Sequence, residues 1–406
     1  MFTNVIGALT SVLPKYFIFG SYVPVLIFSF VNAGLLYLLS AWIRHSVLFA
    51  LSVSSPLTIA VAFVATIVTA YVVTSINDFL RKTLEGKYGV WPSLLEPLFL
   101  EHEQARRDRL EQKYHATRRQ RYVLERQTQD WQTELRIAAS QGVTIRRRVV
   151  GYTMKDPAGR ALDALRAEPG SPEELSPDRL AAAVNTMAHA LEQFDVTIDV
   201  ALASDYRDLL AIMSTVVSGV MLREYDNASL LATYFGTGTP APTRMGNIAA
   251  AIQSYAVGLY GLDLTAFFSR LQSCLVKSGD KGYDIVLDAK TQLDFLVACC
   301  WFSGASTALW YTLLATQGGY LPLYFAVALA GPLATVAFYY LACENYLAYG
   351  EVVRACVDMN RFALLRALDI PLPASTRDER RIWGILSRAT VSALENVELS
   401  YEHPKK

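Results

Sequence analysis

The chain has 406 residues, of which 52% are apolar and 18% charged, and its mean hydropathy is positive. That length allows roughly two or three domains, and the composition argues against a water-soluble enzyme. Lysine plus arginine balances aspartate plus glutamate at 37 each, so only the distribution of charge can say anything about partners.

Met1 to Lys15 lacks a basic leader and a small-residue cleavage site, and Phe2, Val5, Ile6, Leu9 and Leu13 keep helical spacing. The expectation is an uncleaved start with a short interfacial helix. No charge then occurs between Lys15 and Arg44. A bilayer core of ~30 Å needs about 20 apolar residues, so 16–43 predicts one tilted span and the uncharged run 57–76 a second. After Asp294 no charge appears until Glu344, and Gln317, Gly318 and Gly319 divide that run into spans at 295–315 and 321–343. Gly331-Pro332 is expected to kink the last of these. Segment 1–77 thus holds the first transmembrane hairpin and 294–343 the second.

Arginine and lysine near the span ends set orientation. Arg81, Lys82, Lys87, Arg106, Arg107 and Arg109 follow the second span, and Arg354, Arg361 and Arg366 follow the fourth; the short loops hold only Arg44. Both termini and the middle segment are therefore expected in the cytosol.

Residues 78–293 are long enough for a core of their own. Pro92 suits a first helical turn, and a composition rich in Glu, Gln, Arg and Leu predicts one long helix over 92–139. Leu110, Tyr114, Thr117, Arg121, Leu124, Thr128, Trp131, Leu135 and Ala138 alternate spacings of four and three, the pattern of a coiled-coil seam. Two readings stand: a stalk for self-association, or a helix packed against its own domain. Its arginines interleave with acids, so a solvated flank with i,i+4 pairs is preferred to a basic face, and no nucleic acid is expected as a partner.

Alternation over 143–154 predicts a short strand, with 196–200 the other β candidate. Pro- and Gly-rich 158–178 reads as linker, and Ser176-Pro177-Asp178 opens a helix. The uncharged run 209–222, about 14 residues, is too short to span and reads as a buried core helix or a re-entrant segment. In 344–406, helix is expected over 345–368, stopped by Pro371 and Pro373, and then an amphipathic helix from Arg377 to about Leu394. The fold class is all-α, a polytopic helical membrane protein with a large, mainly helical cytosolic domain.

Little chemistry is apparent in the pattern. The five cysteines, Cys274, Cys299, Cys300, Cys343 and Cys356, form no C-x-x-C pair and read as small core residues. No two of the five histidines lie at ligand spacing. Gly236-Thr237-Gly238-Thr239-Pro240 lacks the lysine of a phosphate loop, and no G-x-S-x-G occurs. Neither an enzyme, a catalytic residue, a metal site nor a cofactor is expected.

Two stretches are more pointed. Pro242-Thr243-Arg244-Met245-Gly246-Asn247-Ile248 precedes a helix that Tyr260-Gly261-Leu262-Asp263 ends, and Asn360-Arg361-Phe362-Ala363-Leu364-Leu365-Arg366 lies beyond the last span. Arg244, Asn247, Asp263 and Arg361 are the candidate binding residues. The plainer alternative is capping, Asn247 tying a loop and Asp263 starting the next helix.

In these residues the chain resembles an uncharacterised bacterial, largely actinobacterial, family of membrane proteins. Its members carry T-R-L-G-N, an alanine-rich helix, Y-G-L-D and then a transmembrane hairpin followed by an Arg/Leu-rich helix. Met245 stands here for the leucine, and the Trp-Pro that follows Y-G-L-D in the family is absent, though Tyr88-Gly89-Val90-Trp91-Pro92 follows the first hairpin. The resemblance covers 78–112 and 241–390; it implies the two-hairpin topology and no activity. The plan of hairpin, cytosolic helices and hairpin is also similar in architecture to bestrophin-type channels.

The leading expectation is an oligomeric gated pore, a homo-oligomer in the lipid bilayer whose spans pack through Ser303, Gly304, Ser306, Thr307, Gly331 and Thr335. The alternative is a membrane-tethered scaffold or sensor, in stress or phage defence, that binds a cytosolic protein partner. No span carries a mid-membrane charge, which disfavours a coupled transporter.

Overall fold

The structure, a computed structural model, describes residues 13–39, 56–88, 96–140, 200–278, 281–317 and 321–391. The expected interfacial helix at the start, Pro92, the strand at 143–154, the linker and the helix opening at Ser176 lie outside them, as does 196–199. Among the described residues every element is a helix and none is a strand.

A short α1 (Lys15–Phe17) passes through a π-helical turn (Ile18–Tyr22) into α2 (Val23–Leu39). There follow α3 (Pro56–Leu84), α4 (Glu96–Ser140), α5 (Val200–Tyr234), α6 (Arg244–Tyr260), α7 (Leu264–Ser278), α8 (Lys281–Gln317), α9 (Leu321–Ala367) and α10 (Thr376–Val391). Val200, proposed as the end of a strand, starts α5.

Four of these helical stretches are long and apolar enough to cross a membrane: Lys15–Leu35, Phe63–Leu84, Gly282–Thr316 and Leu321–Ala367. The helices outrun the spans drawn from charge alone. The 47 residues of α9 measure about 70 Å at 1.5 Å each, more than twice a bilayer core of ~30 Å. No proline or glycine interrupts α9 where the charges return at Glu344, so the helix has no cause to stop there. It ends only at Ala367, where Asp369 turns the chain with φ 54° ahead of Pro371.

Chain clustering gives two compact units, Met1–Ala105 with Ala232–Lys406, and Arg106–Leu231. In the first unit the apolar stretches are joined by polar contacts. Asn32 on α2 donates from Nδ2 to Ser306 Oγ on α8 at 3.1 Å, and its Oδ1 accepts from Trp310 Nε1 at 2.6 Å. Thr335 on α9 donates to Ser303 on α8 at 3.1 Å. A Cβ on Gly331 would overlap the Thr307 side chain, so this glycine sets how closely α8 and α9 approach. Pro332 sits inside α9 and removes one backbone donor. Thr335 Oγ1 and, more distantly, Ser303 Oγ reach the Gly331 carbonyl at 3.0 and 3.5 Å.

Beyond the apolar stretches, α6, α7, α10 and the extensions of α8 and α9 close around a second core, here termed the cap. Met245, Ile248, Phe267, Leu271, Leu293, Val357 and Trp383 are buried in it. Phe267 meets Trp383 edge-on at 5.5 Å. The amphipathic α10 follows the sequence pattern, with Trp383 and Leu386 buried.

In the second unit, the seam positions Thr117 and Arg121 of α4 meet α5 of the same chain. Asn227 Nδ2 donates to Thr117 Oγ1 at 3.1 Å, and Arg121 Nε stands 3.1 Å from Glu224 Oε2. Leu124 on α4 and Val220 on α5 are both buried. Two of the seam positions, Thr117 and Arg121, are thus engaged within the chain. Residues 209–222 lie inside the unbroken α5; at the end of that run Val220 is buried while Met221 and Leu222 are exposed.

Candidate functional site

The two pointed sequence stretches stand at opposite ends of one helix, α6. Thr243 caps its start: backbone φ −125° and ψ 150° leave its Oγ1 to accept from Gly246 N at 3.0 Å. A side chain on Gly246 would overlap the Glu85 carbonyl oxygen, so the glycine of T-R-M-G-N is required by close approach of α6 to the turn after α3.

Asn247 is buried and ties the loop that leads into α6. Its Oδ1 accepts from Ala241 N at 2.6 Å, and its Nδ2 donates to Ala241 O at 3.1 Å and to Glu103 Oε2 at 2.9 Å. Arg244 reaches outward to Glu344 on α9 at 2.7 Å, over the rings of Tyr234 and Tyr340 at 5.1 and 5.7 Å.

At the other end Gly261, with φ 79°, terminates α6 against the α10 backbone. Asp263 Oδ1 accepts from Thr265 N at 2.8 Å and so caps α7. Tyr255 and Tyr260 each donate to one oxygen of Asp358 on α9, both at 2.9 Å. Burial first, and then the Asp358 carboxylate, push the Tyr255 phenol up to about 12; the same causes raise Tyr260. Arg361 lies 4.3 Å over the rings of both Tyr260 and Phe362, donates to the Asp358 carbonyl, and pairs with buried Glu379 of α10 at 2.9 Å.

Arg244 and Asn247 are therefore parted from Asp263 and Arg361 by the length of α6, about 25 Å at 1.5 Å for each of its 17 residues. Each is engaged with its own neighbours, and the four do not converge on one space.

The space lies between the two ends. A cavity of ≈ 260 Å³ opens among α3, α6, α7, α8 and α9. Its polar lining is Arg81, Gln253, Thr265, Gln272, Lys290 and Tyr349, its remaining walls are mainly apolar, and no carboxylate lines it. Behind Arg81 stands Glu85, almost wholly buried. Glu85 accepts from Tyr346 Oη at 2.8 Å and pairs with Lys87 at 2.8 Å and with Arg81 at 3.4 Å. Trp301 Nε1 donates to the Leu80 carbonyl at 3.1 Å, joining α8 to the same end of α3.

Sequence reasoning passed over this cavity. Arg81 served only as an orientation marker, and Lys290, Gln253 and Gln272 not at all. The available signal was a lone cation near the end of each of two apolar runs. Among the described residues no group of acids, histidines and cysteines could hold a metal ion. Comparison of the chain with protein-family models, curated proteins and solved structures finds no match.

Proposed function

We propose that the chain is an integral protein of the bacterial cytoplasmic membrane that acts as a tethered sensor. Its cap and both terminal segments lie on the cytosolic side, and the cap passes its state to the spans or to a cytosolic protein partner. The supporting observation is continuity: α8 and α9 run without a break from the apolar hairpin into the cap core. The Glu85–Tyr346 and Trp301–Leu80 hydrogen bonds tie the end of α3 to the same pair. Arg81, Lys82 and Lys87 after the apolar part of α3, with Arg354, Arg361 and Arg366 on α9, support the orientation. The polar groups meeting between the apolar stretches, Asn32 with Ser306 and Trp310 and Ser303 with Thr335, bond to one another within the chain, which supports a packed bundle.

An oligomeric gated pore is the second reading, and Pro332 favours it. A missing backbone donor inside α9 gives that helix a place to bend directly below the part that enters the cap. Reconstitution in liposomes, with light scattering of the detergent-solubilised protein, separates the two. The sensor reading expects a monomer and no ion flux; flux from a homo-oligomer overturns it in favour of the pore.

A further inference from the structure

We propose that the cavity beside Arg81 and Lys290 is a binding site for a phosphate group, carried either by a small soluble molecule or by the headgroup of a membrane lipid. It does not depend on whether the protein senses or conducts.

The lining selects the charge. Arg81 and Lys290 are the two cations of the lining, and no carboxylate is among the lining residues. Asp78 and Asp294, outside the lining, act electrostatically on both cations. Arg81 is ion-paired to Asp78 and Glu85, whereas the Lys290 ammonium has no carboxylate within ion-pair distance among the described residues and is the cation left for a ligand. Arg81 is held in place by Asp78 at its Nη2 and by Glu85, 3.4 Å from its Nε, so among the described residues its Nη1 is the nitrogen left for a ligand. A guanidinium so anchored is pre-set to present donors to an anion, and little side-chain entropy remains to be lost on binding.

The other polar groups suit a phosphate ester rather than a lone halide. The Gln253 and Gln272 amides and the Thr265 hydroxyl bring neutral donors from α6 and α7 to a space that Lys290 enters from α8. Phosphate oxygens accept several such bonds at once. The volume, ≈ 260 Å³, falls just below the ~300–1,000 Å³ usual for small-molecule sites, so it suits a compact ligand.

Position makes both sources available. Arg81 follows the apolar part of α3, and Lys290 precedes the uncharged run that begins after Asp294, so both cations stand at an end of a candidate span. Headgroup phosphates lie at that depth, and a soluble phosphate ester reaches it from water.

The test uses the full chain in dodecyl maltoside micelles, whose headgroup carries no phosphate, with the thermal midpoint followed at matched ionic strength. One arm adds inorganic phosphate or glycerol 3-phosphate, against chloride. The other adds phosphatidylglycerol to the same micelles with no added phosphate. Lys290→Ala is compared with Lys277→Ala, an equal loss of charge on the exposed last turn of α7, and Gln272→Ala serves as a second variant should Lys290→Ala misfold.

Stabilisation by added phosphate or ester, weakened about tenfold in apparent affinity by Lys290→Ala or Gln272→Ala, as loss of one bond to a charged group implies, establishes a soluble ligand. Stabilisation by phosphatidylglycerol alone, with the same dependence, establishes a headgroup site. No stabilisation in either arm, or an equal effect of Lys277→Ala, overturns the proposal.

Discussion

Two regions of this chain hold helices together by different means. In the cap, α6, α7, α8, α9 and α10 bury a shared apolar core, and polar pairs such as Tyr255–Asp358 and Arg361–Glu379 join helices around it. Between α4 and α5 the contacts include an amide–hydroxyl bond and an ion pair, with Leu124 and Val220 each buried in this unit. Burial is worth ~25 cal/mol per Å² and accumulates with every apolar side chain enclosed. A half-exposed ion pair contributes ~1 kcal/mol or less. The cap is therefore expected to be the last part of the protein to open, and the α4–α5 pair the first.

The largest effect should come from Trp383. Its ring is fully buried against Phe267, yet its Nε1 has no hydrogen-bond partner among the described residues. Trp383→Ala should cost about 3–5 kcal/mol by leaving a cavity. Trp383→Phe should cost much less, because it keeps most of the apolar volume and removes the stranded donor. Both are read from denaturant or thermal melts of the detergent-solubilised protein; equal losses for the two would show that packing there is looser than the structure has it.

Gly246→Ala comes next. The new methyl meets the Glu85 backbone rather than a movable side chain, so the loss should reach about 3 kcal/mol, the upper end for overpacking. Gly258→Ala, on the same helix with open space around it, is the control and should leave the melt unchanged or raise it slightly. Tyr346→Phe should cost about 1.5–3 kcal/mol, as it withdraws a neutral donor from the buried Glu85 carboxylate. Adding Glu85→Gln should recover part of that, since a neutral acceptor suffers less from the loss.

The positions of the spans were legible because uncharged runs of bilayer length need no partner to be recognised. The lengths of the helices were not, since charge marks where the membrane ends and says nothing of where backbone bonding ends. The T-R-M-G-N and Y-G-L-D stretches were legible as helix boundaries, and Thr243, Gly261 and Asp263 act through local cap chemistry. What Gly246 packs against was hidden, because Glu85 lies 161 positions away in the chain. The cavity was hidden for the same reason: Arg81, Gln253, Gln272 and Lys290 share no period or motif, and only the packing of separate helices brings them together.

The Tyr255 and Tyr260 clamp on Asp358 gives the cap a pH signature. A phenol raised to about 12 when folded, against 10 in the unfolded chain, stays protonated longer in the folded state. Its contribution is thus complete below pH 10 and is lost as pH climbs through 12. The melting temperature should fall over that window, and less steeply in Tyr255→Phe, which has no proton to lose. A fall of unchanged slope would place the titrating group elsewhere.

Arg121→Ala should have the smallest effect and bears most directly on the contrast between the two regions. Arg121 is about a third exposed and Glu224 is nearly buried, so screening limits what the pair contributes to under ~1 kcal/mol. Removing the arginine also strands the Glu224 carboxylate, and α5 should respond locally rather than through the global melt. Hydrogen exchange should quicken around Glu224 and Asn227 while the amides near Trp383 stay protected. If exchange near Trp383 quickened equally, the two regions would open as one, and packing density would not set the order of opening.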